Sequence, residues 1–221
     1  MESQVEYPFG RGHTGIRGGN EIWREWMGRI GALHAGTEVV AMFDKHNVVD
    51  TLNEAEASSL GIEMDHMDDV SSVICSYGRS HQRETWRQGS PWYPFVCQID
   101  GAVFTLERDN GRRMVDVERL RDCGPNVITL SGDKGQVAEL LPVPCFIVDD
   151  RRRNVELVQK KGYRSGGVVF RGARKGHRDG APQPLYPGAN YWKPFRICND
   201  PLEWPGLVEE FVRLQMSNGV P

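Results

Sequence analysis

The sequence predicts an α/β domain built on a mostly parallel sheet with helices on both faces. Two apolar runs rich in β-branched residues, 39–43 and 143–148, lead directly into acidic residues: Asp44 after the first run, and the pair Asp149 and Asp150 after the second. Such uninterrupted apolar runs are typical of strands that are buried on both faces, as in parallel sheets. The expected architecture is therefore three-layered and Rossmann-like.

The composition fits one soluble globular domain. A chain of 221 residues with 26% charged and 39% hydrophobic residues is long enough for one sizeable core. The net charge of −3 gives no general preference for nucleic acid. No apolar run reaches membrane-spanning length, and the N-terminus lacks the features of a signal peptide, so we expect a cytoplasmic protein without membrane contact. The 5 cysteines agree with this, because they are scattered and form no CxxC pair.

The chain begins with a polar, Gly- and Arg-rich segment, residues 1–19, which has little apolar surface to bury. We expect it to be a flexible arm ahead of one domain that spans 20–221. Asn20 is suited to cap a first helix. Further expected elements are a helix from 53 to Gly61, a strand over 70–76, a helix over 79–88, a helix through Leu157 that ends at Gly162, a strand over 167–170, a proline- and aromatic-rich wrap over 182–205, and a final helix over about 205–216.

The segment 92–110 carries two β-like runs, 95–99 and 102–106, with Asp100 and Gly101 between them. Asp-Gly between apolar runs is a hairpin signal, so a β-hairpin insertion is the favoured interpretation. The alternative is that 95–99 is a strand of the main sheet and that Asp100 faces a ligand. In both cases the segment is too short for a large cap domain, and we expect a small cap or none.

The acidic residues that follow the two apolar runs are candidate metal ligands. Ligands of open parallel sheets bind at the carboxyl ends of the strands. Hard cations need several oxygen ligands, and carboxylates supply them. The sequence therefore predicts that Asp44, Asp149 and Asp150 converge on one divalent cation.

Four short motifs stand in order along the chain: Asp44 to Val48, Ser76, Lys134, and Asp149 with Asp150. They resemble those of the haloacid dehalogenase-like (HAD) superfamily of phosphatases and phosphotransferases. The family motifs are a strand followed by Asp-x-Asp-x-Thr/Val, a strand that ends in Ser or Thr, a Lys upstream of the fourth strand, and an acidic strand end. The resemblance covers roughly 38–172, about the size of one α/β domain. The matching positions are Asp44 to Val48 except at the third position, Ser76, Lys134, and Asp149 with Asp150.

This resemblance implies phosphoryl transfer through an aspartyl phosphate, with Asp44 as the nucleophile. Lys134 would neutralise the negative charge that Asp44 and the phosphate share. Ser76 would hydrogen-bond a phosphoryl oxygen, and Arg79, which follows it closely, is a second candidate for binding the phosphate. The cofactor implied is Mg²⁺, with Asp44, Asp149 and Asp150 as its ligands.

His46 stands where phosphatases of the family have the Asp that protonates the leaving oxygen and later activates water. Imidazole can do this acid/base work near neutral pH. The alternative is that the acid has been lost. The chain would then be a catalytically impaired HAD-like protein that serves as a binding or structural module.

The expected partners are a phosphorylated substrate and, as a less favoured one, nucleic acid. An enzyme of this kind would act on a phosphorylated substrate, and an open site without a large cap also suits a macromolecular one. The basic loop 171–178 either steers such a substrate or a nucleic acid toward the site, or is an ordinary solvated loop. The solvated loop is the favoured interpretation, so nucleic acid is the less favoured partner.

Overall fold

Parallel strands form one sheet at the centre of the structure, a computed structural model. The structure describes residues 28, 31–32, 34–77, 84–106, 127–131, 133–172 and 196–217. The described residues contain seven strands, which in chain order are β1 (Val39–Phe43), β2 (Val70–Tyr77), β3 (Gly101–Leu106), β4 (Val127–Ser131), β5 (Cys145–Asp149), β6 (Gly166–Phe170) and β7 (Arg196–Cys198).

The spatial order of the strands is β4-β3-β2-β1-β5-β6-β7, and every neighbouring pair is parallel. β1 therefore lies between β2 and β5. All residues of β1 and of β5 are buried, as their apolar sequences predict. The two acidic strand ends of the sequence thus lie side by side in the middle of the sheet.

Helices cover both faces of this sheet, which confirms the predicted three-layer α/β fold. One core cluster joins the sheet to α1 (Glu54–Asp65), α2 (Tyr93–Val96) and α5 (Trp204–Ser217). A second cluster on the opposite face joins it to α3 (Lys134–Leu140) and α4 (Arg152–Lys161). Between β1 and β2 the chain forms only a short 3₁₀ turn and α1, and no cap domain occurs in the described part of the chain.

Two of the helices, α1 and α3, begin at capping residues. Asn53 caps α1, and its side chain accepts a hydrogen bond from the Glu56 amide while Glu56 bonds back to the Asn53 amide. Asp133 and Gln136 form the same reciprocal pair at the start of α3. Each capping box satisfies two amides that the helix itself leaves unpaired. The capping box at α3 fixes the backbone position from which the side chain of Lys134, the first residue of that helix, extends.

The prediction of a β-hairpin over 92–110 is wrong. Residues Tyr93–Val96 form a short helix, and Gly101–Leu106 is β3, which pairs in parallel with β2. The alternative, with 95–99 as a strand and Asp100 at a ligand, is also wrong. The Asp100 carboxylate accepts a hydrogen bond from the Ser72 amide at 2.8 Å, and the Asp100 amide donates to the Ser72 carbonyl oxygen at 2.8 Å. These two bonds fasten the start of β3 to β2 and pair both backbone polar groups of Ser72.

The prediction that the helix ends at Gly61 is wrong. α1 continues to Asp65, and a Cβ atom at position 61 would lie 3.0 Å from the Pro94 carbonyl oxygen. The glycine therefore serves close packing of α1 against α2. By contrast, Gly162 does cap the C-terminus of α4, as expected.

Several predicted segments lie outside the described residues. They include the arm over 1–19, most of the helix predicted from Asn20, Arg79, and most of both the basic loop 171–178 and the wrap 182–205. The final helix is present as α5, from Trp204 to Ser217. Within the described ranges, no helix has the length and apolar character needed to cross a membrane.

Gly135 is required for the close approach of α3 to α4. A Cβ atom there would lie 2.6 Å from the Leu157 carbonyl oxygen, which is closer than van der Waals contact allows. We expect Gly135→Ala to lower the free energy of unfolding by about 1–3 kcal/mol, the usual cost of overpacking. Urea unfolding measures this.

Gly206, in the first turn of α5, provides the matched control for that measurement. A Cβ atom at Gly206 meets nothing within 4 Å. Gly206→Ala should therefore leave stability unchanged or raise it by about 0.5–1 kcal/mol, because alanine restricts the unfolded chain and favours helix. Equal effects of the two substitutions would contradict the packing role of Gly135.

Candidate functional site

The candidate site lies at the carboxyl ends of β1 and β5. Phe43 and Val148 are partners in the register of these strands, so the residues that follow them emerge at the same edge. The Asp44 amide donates to the Val148 carbonyl oxygen at 2.9 Å, which continues the ladder up to the site. Asp44 and Asp149 are thus held side by side by backbone hydrogen bonds of the sheet.

Three carboxylates meet at this edge. One oxygen of each of Asp44, Asp149 and Asp150 lies within 4.8 Å of the others. Asp44 and Asp149 are buried, whereas Asp150 is partly exposed. Oxygen ligands of one Mg²⁺ or Ca²⁺ ion stand about 2.0–2.6 Å from it, and two of them can therefore be up to about 5 Å apart. The cluster can hold a metal ion.

A buried ammonium group lies among these carboxylates. Lys134 Nζ is 2.6 Å from Asp149 Oδ2 and 3.0 Å from Asp44 Oδ1, and the side chain has no exposed surface. Burial alone would lower the pKa of Lys134. The negative charges of Asp44 and Asp149 more than offset that effect, so the pKa lies above its ordinary value. Lys134 is therefore a fixed positive charge at neutral pH.

Asp149 is held by hydrogen bonds on both oxygens. Besides Lys134 Nζ, it accepts from the Arg151 amide at 2.8 Å and from Asn154 Nδ2 at 3.0 Å. Burial raises the pKa of Asp149, and the attraction of Lys134 only partly opposes this, while Asp44 adds to it. The cluster brings three carboxylates close together, and a metal cation bound there would reduce the repulsion between them.

Asp44 differs from Asp149 in its hydrogen bonding. Asp44 Oδ1 is buried and accepts no hydrogen bond, although Lys134 Nζ is close enough for an ion pair. The Lys134–Asp44 contact is thus an ion pair without a hydrogen bond, whereas the Lys134 ammonium donates a hydrogen bond to Asp149. A buried carboxylate oxygen without a hydrogen bond is costly, and a metal ion or a hydrogen-bond donor bound there would offset that cost.

Tyr77 and Asn154 belong to the site but were not predicted as site residues. The Tyr77 hydroxyl donates to Asn154 Oδ1 at 3.2 Å, which aims the Asn154 amide nitrogen at Asp149. The Tyr77 ring also lies 5.3 Å from Lys134 Nζ. Burial raises the pKa of Tyr77 to about 12, so the phenol remains a donor. Strand alternation from Cys75 would have placed Tyr77 on this face of the sheet.

Ser76 reaches the same edge but makes no hydrogen bond with the cluster. Its Oγ is buried and has no hydrogen-bond partner. Ile74 packs in the core cluster on the α1 side, and strand alternation places Ser76 on that face, opposite the face that carries Lys134. Arg79, the other predicted phosphate-binding residue, lies outside the described residues.

The loop after β1 folds back on itself and contacts Asp150. Asn47 adopts a left-handed backbone with φ of 60°, which asparagine tolerates better than most residues. Its amide donates to Asp50 Oδ1 at 2.7 Å, and its side chain donates to Asp150 Oδ2 at 2.8 Å. His46 lies at the tip, with 54% of its side chain exposed and Nδ1 3.4 Å from Asp50 Oδ2.

A second buried cation, Lys45, directly follows Asp44. Its Nζ lies 3.2 Å from Glu84 Oε2 and 5.3 Å from the centre of the Trp92 ring. The side chain is 4% exposed, while that of Glu84 is 58% exposed. No local sequence pattern singles out Lys45, because its burial depends on contacts with Trp92 and with the segment around Glu84.

Comparison of the chain with protein-family models, with curated protein sequences and with solved structures finds no match. The class of protein is therefore defined by the fold and the site: a three-layer α/β protein with a buried acidic cluster that can hold a metal ion.

We expect Lys134→Met to destabilise the metal-free protein strongly. The substitution leaves Asp149 buried beside Asp44 without a compensating charge, and breaking a buried ion pair in this way costs about 3–5 kcal/mol. Urea unfolding in the presence of a chelator measures the loss.

Lys161→Met is the matched control, because Lys161 pairs with Asp133 at 3.1 Å near the surface. An exposed pair of that kind contributes about 0–1 kcal/mol. If both lysine variants lost the same small amount, the buried ion pair would not be the interaction that holds the site.

Proposed function

We propose that the chain is a Mg²⁺-dependent phosphatase or phosphotransferase of the HAD-like type. The observation that carries the proposal is the position of Lys134 Nζ, which lies within 3.0 Å of both Asp44 and Asp149 beside a third carboxylate. Three of the four sequence motifs, far apart in the chain, supply this compact set of charges, while the serine motif lies on the opposite face of the sheet.

Mg²⁺ is the proposed metal, because the donors suit a hard cation. All the candidate ligand atoms are carboxylate oxygens, which hard cations prefer. Cys75 lies close enough to interact electrostatically with Asp44 and Lys134, but burial raises its pKa to about 12 and it is no source of a thiolate ligand. Mg²⁺ also binds through a few carboxylates together with substrate phosphate, and would neutralise charge on the phosphoryl oxygens.

Asp44 is the proposed nucleophile. Its Oδ1 is ion-paired with Lys134 Nζ at 3.0 Å but accepts no hydrogen bond from the described residues, whereas both oxygens of Asp149 accept hydrogen bonds. Attack of an Asp44 oxygen on phosphorus forms an aspartyl phosphate and breaks the bond to the alcohol, which leaves with a proton. Water then releases inorganic phosphate and restores Asp44, or a second alcohol takes the phosphoryl group.

Lys134 provides the fixed charge that this reaction needs. Phosphoryl transfer depends mainly on positioning and on stabilising negative charge. The Lys134 ammonium lies beside the proposed nucleophile and is held there by Asp149, so no reorganisation is needed when charge develops. Asn154 and Tyr77 hold Asp149 in turn.

His46 is the proposed acid/base. Its role distinguishes an active phosphatase from a binding or structural module. Its side chain is more than half exposed and lies beside Asp50, a carboxylate that can orient the imidazole. The same exposure favours the second candidate function, a binding or structural module that keeps the charged pocket without turnover.

We expect millimolar Mg²⁺ to raise the melting temperature, because it binds only the folded cluster. At a concentration about 100 times the Kd, the stabilisation is about 2.7 kcal/mol. This corresponds to about 5–10 °C for a chain of this size. Asp150→Asn should reduce the shift, while Asp68→Asn, at an exposed turn outside the site, should not. A wild-type melting temperature unaffected by Mg²⁺ would contradict the metal site.

Turnover of a generic phosphomonoester in the presence of Mg²⁺ tests the proposed reaction. The wild type should release phosphate, a chelator should stop it, and Asp44→Asn should reduce it to background, because the amide keeps the shape of the side chain but is no nucleophile. Activity that survives in Asp44→Asn would rule out the aspartyl phosphate.

Substitutions at His46 separate the two candidate functions. If His46 is the acid/base, His46→Ala should lower turnover by about 10²–10⁴-fold, and His46→Asp should retain or raise it. An inert wild type in which His46→Asp creates activity supports the binding module. Equal turnover by wild type and His46→Ala would show that the imidazole has no catalytic role.

A further inference from the structure

The side chain of Tyr77 contacts two of the groups that hold Asp149. Its hydroxyl donates to Asn154 Oδ1 at 3.2 Å, and its ring lies 5.3 Å from Lys134 Nζ. Asn154 Nδ2 and Lys134 Nζ both donate to the Asp149 carboxylate, at 3.0 Å and 2.6 Å. One residue at the end of β2 is thus in contact with both side chains that bind the carboxylate at the end of β5.

The Asn154 amide supplies two of the four hydrogen bonds that Asp149 accepts from the described residues. Its Nδ2 donates to both carboxylate oxygens, while Lys134 donates to Oδ2 and the Arg151 amide to Oδ1. A carboxylate offers about four lone-pair sites, so these contacts satisfy Asp149. A buried ion pair offsets its desolvation only when its remaining lone pairs are satisfied in this way. The Asp149–Lys134 pair therefore depends on Asn154.

The orientation of the Asn154 amide decides whether it helps or harms this pair. A side-chain amide donates from its nitrogen and accepts at its oxygen. With Nδ2 toward Asp149, Asn154 donates to the carboxylate, as the structure shows. Turned over, it would place its carbonyl oxygen against the carboxylate, and the two would repel. Tyr77 favours the first orientation, because its hydroxyl donates to Oδ1 on the far side of the amide.

Tyr77 is suited to this role by its place in the fold. Its backbone is held in the sheet, where Tyr77 and Thr105 are register partners across β2 and β3. Asn154 is buried, and a buried carbonyl oxygen without a hydrogen bond is costly. The phenol satisfies that oxygen from a fixed position. Because burial raises the pKa of Tyr77 to about 12, its hydroxyl keeps the proton that it donates.

We propose that Tyr77 is a positioning residue whose hydroxyl fixes the orientation of the Asn154 amide toward Asp149, so that Asp149 holds the Lys134 ammonium beside Asp44. Its effect on the reaction rests on the proposed function, because Lys134 stabilises the charge of the proposed phosphoryl transfer. Tyr77 then acts through Asn154, and not on the substrate itself.

A double-mutant cycle tests whether Tyr77 acts through Asn154. Tyr77→Phe removes the hydroxyl and keeps the ring beside Lys134. With p-nitrophenyl phosphate and Mg²⁺ it should lower kcat about 2–10-fold, the effect of one lost hydrogen bond, and leave KM unchanged. Asn154→Ala should lower kcat about 10–100-fold, as loss of a partner of a site carboxylate does. Tyr77→Phe should have no further effect in the Asn154→Ala protein.

Tyr163→Phe is the matched control, because it removes the same hydroxyl from an exposed tyrosine after α4 and should change neither kcat nor KM. An equal fall in kcat from Tyr77→Phe with and without Asn154, an unchanged kcat, or a rise in KM alone overturns the positioning role while the proposed function stands. If Asn154→Ala does not fold, hydrogen exchange of the Asn154 side-chain amide decides: faster exchange in Tyr77→Phe supports the role, and unchanged exchange overturns it.

If the wild type hydrolyses nothing, the proposed function fails, and the same cycle is measured on the urea midpoint of the metal-free protein. A midpoint that Tyr77→Phe lowers only when Asn154 is present supports the positioning of the amide by Tyr77. Equal shifts in both backgrounds, or no shift in either, overturn it.

Discussion

The ion pairs of Lys134 are the interaction on which the rest of the site depends. Two carboxylates buried next to each other at the ends of neighbouring strands repel, and the ammonium between them compensates that repulsion. The capping box at α3 and the close contact of α3 with α4 bring the lysine to this position. In the described part of the chain the cluster joins three carboxylates to one buried ammonium, so it can also accept a cation, and this makes it a candidate site as well as a structural link.

Much of this could be predicted from the sequence, and for a physical reason. Strands buried on both faces must be apolar along their length, so an acidic residue at the end of such a strand stands out. That pattern indicated Asp44, Asp149 and Asp150, and parallel pairing of β1 with β5 brings them together. Lys134 was found through its motif, and the capping box that places it is itself visible in the sequence as Asp133 and Gln136.

Other parts depend on tertiary contacts that short patterns do not contain. Asp100 and Gly101 have the local signature of a hairpin, yet pairing of Asp100 with Ser72, 28 positions away, makes them the start of a parallel strand. Tyr77 and Asn154 act on Asp149 only because β2, β5 and α4 meet at one edge. Ser76 was assigned from its place at a strand end, while the face on which it lies follows from the register of the whole strand.

The parallel pairing of β1 with β5 also sets when the site can exist during folding. Val40 and Cys145 are register partners, so about a hundred residues of chain must be organised before Asp44 meets Asp149. Closing so long a loop is entropically unfavourable, and sheets built from such distant pairings fold slowly. The carboxylates thus remain apart and hydrated until the central strands join. Their mutual repulsion acts only once these strands pair, and in the folded protein Lys134, which lies between them in the sequence, offsets it.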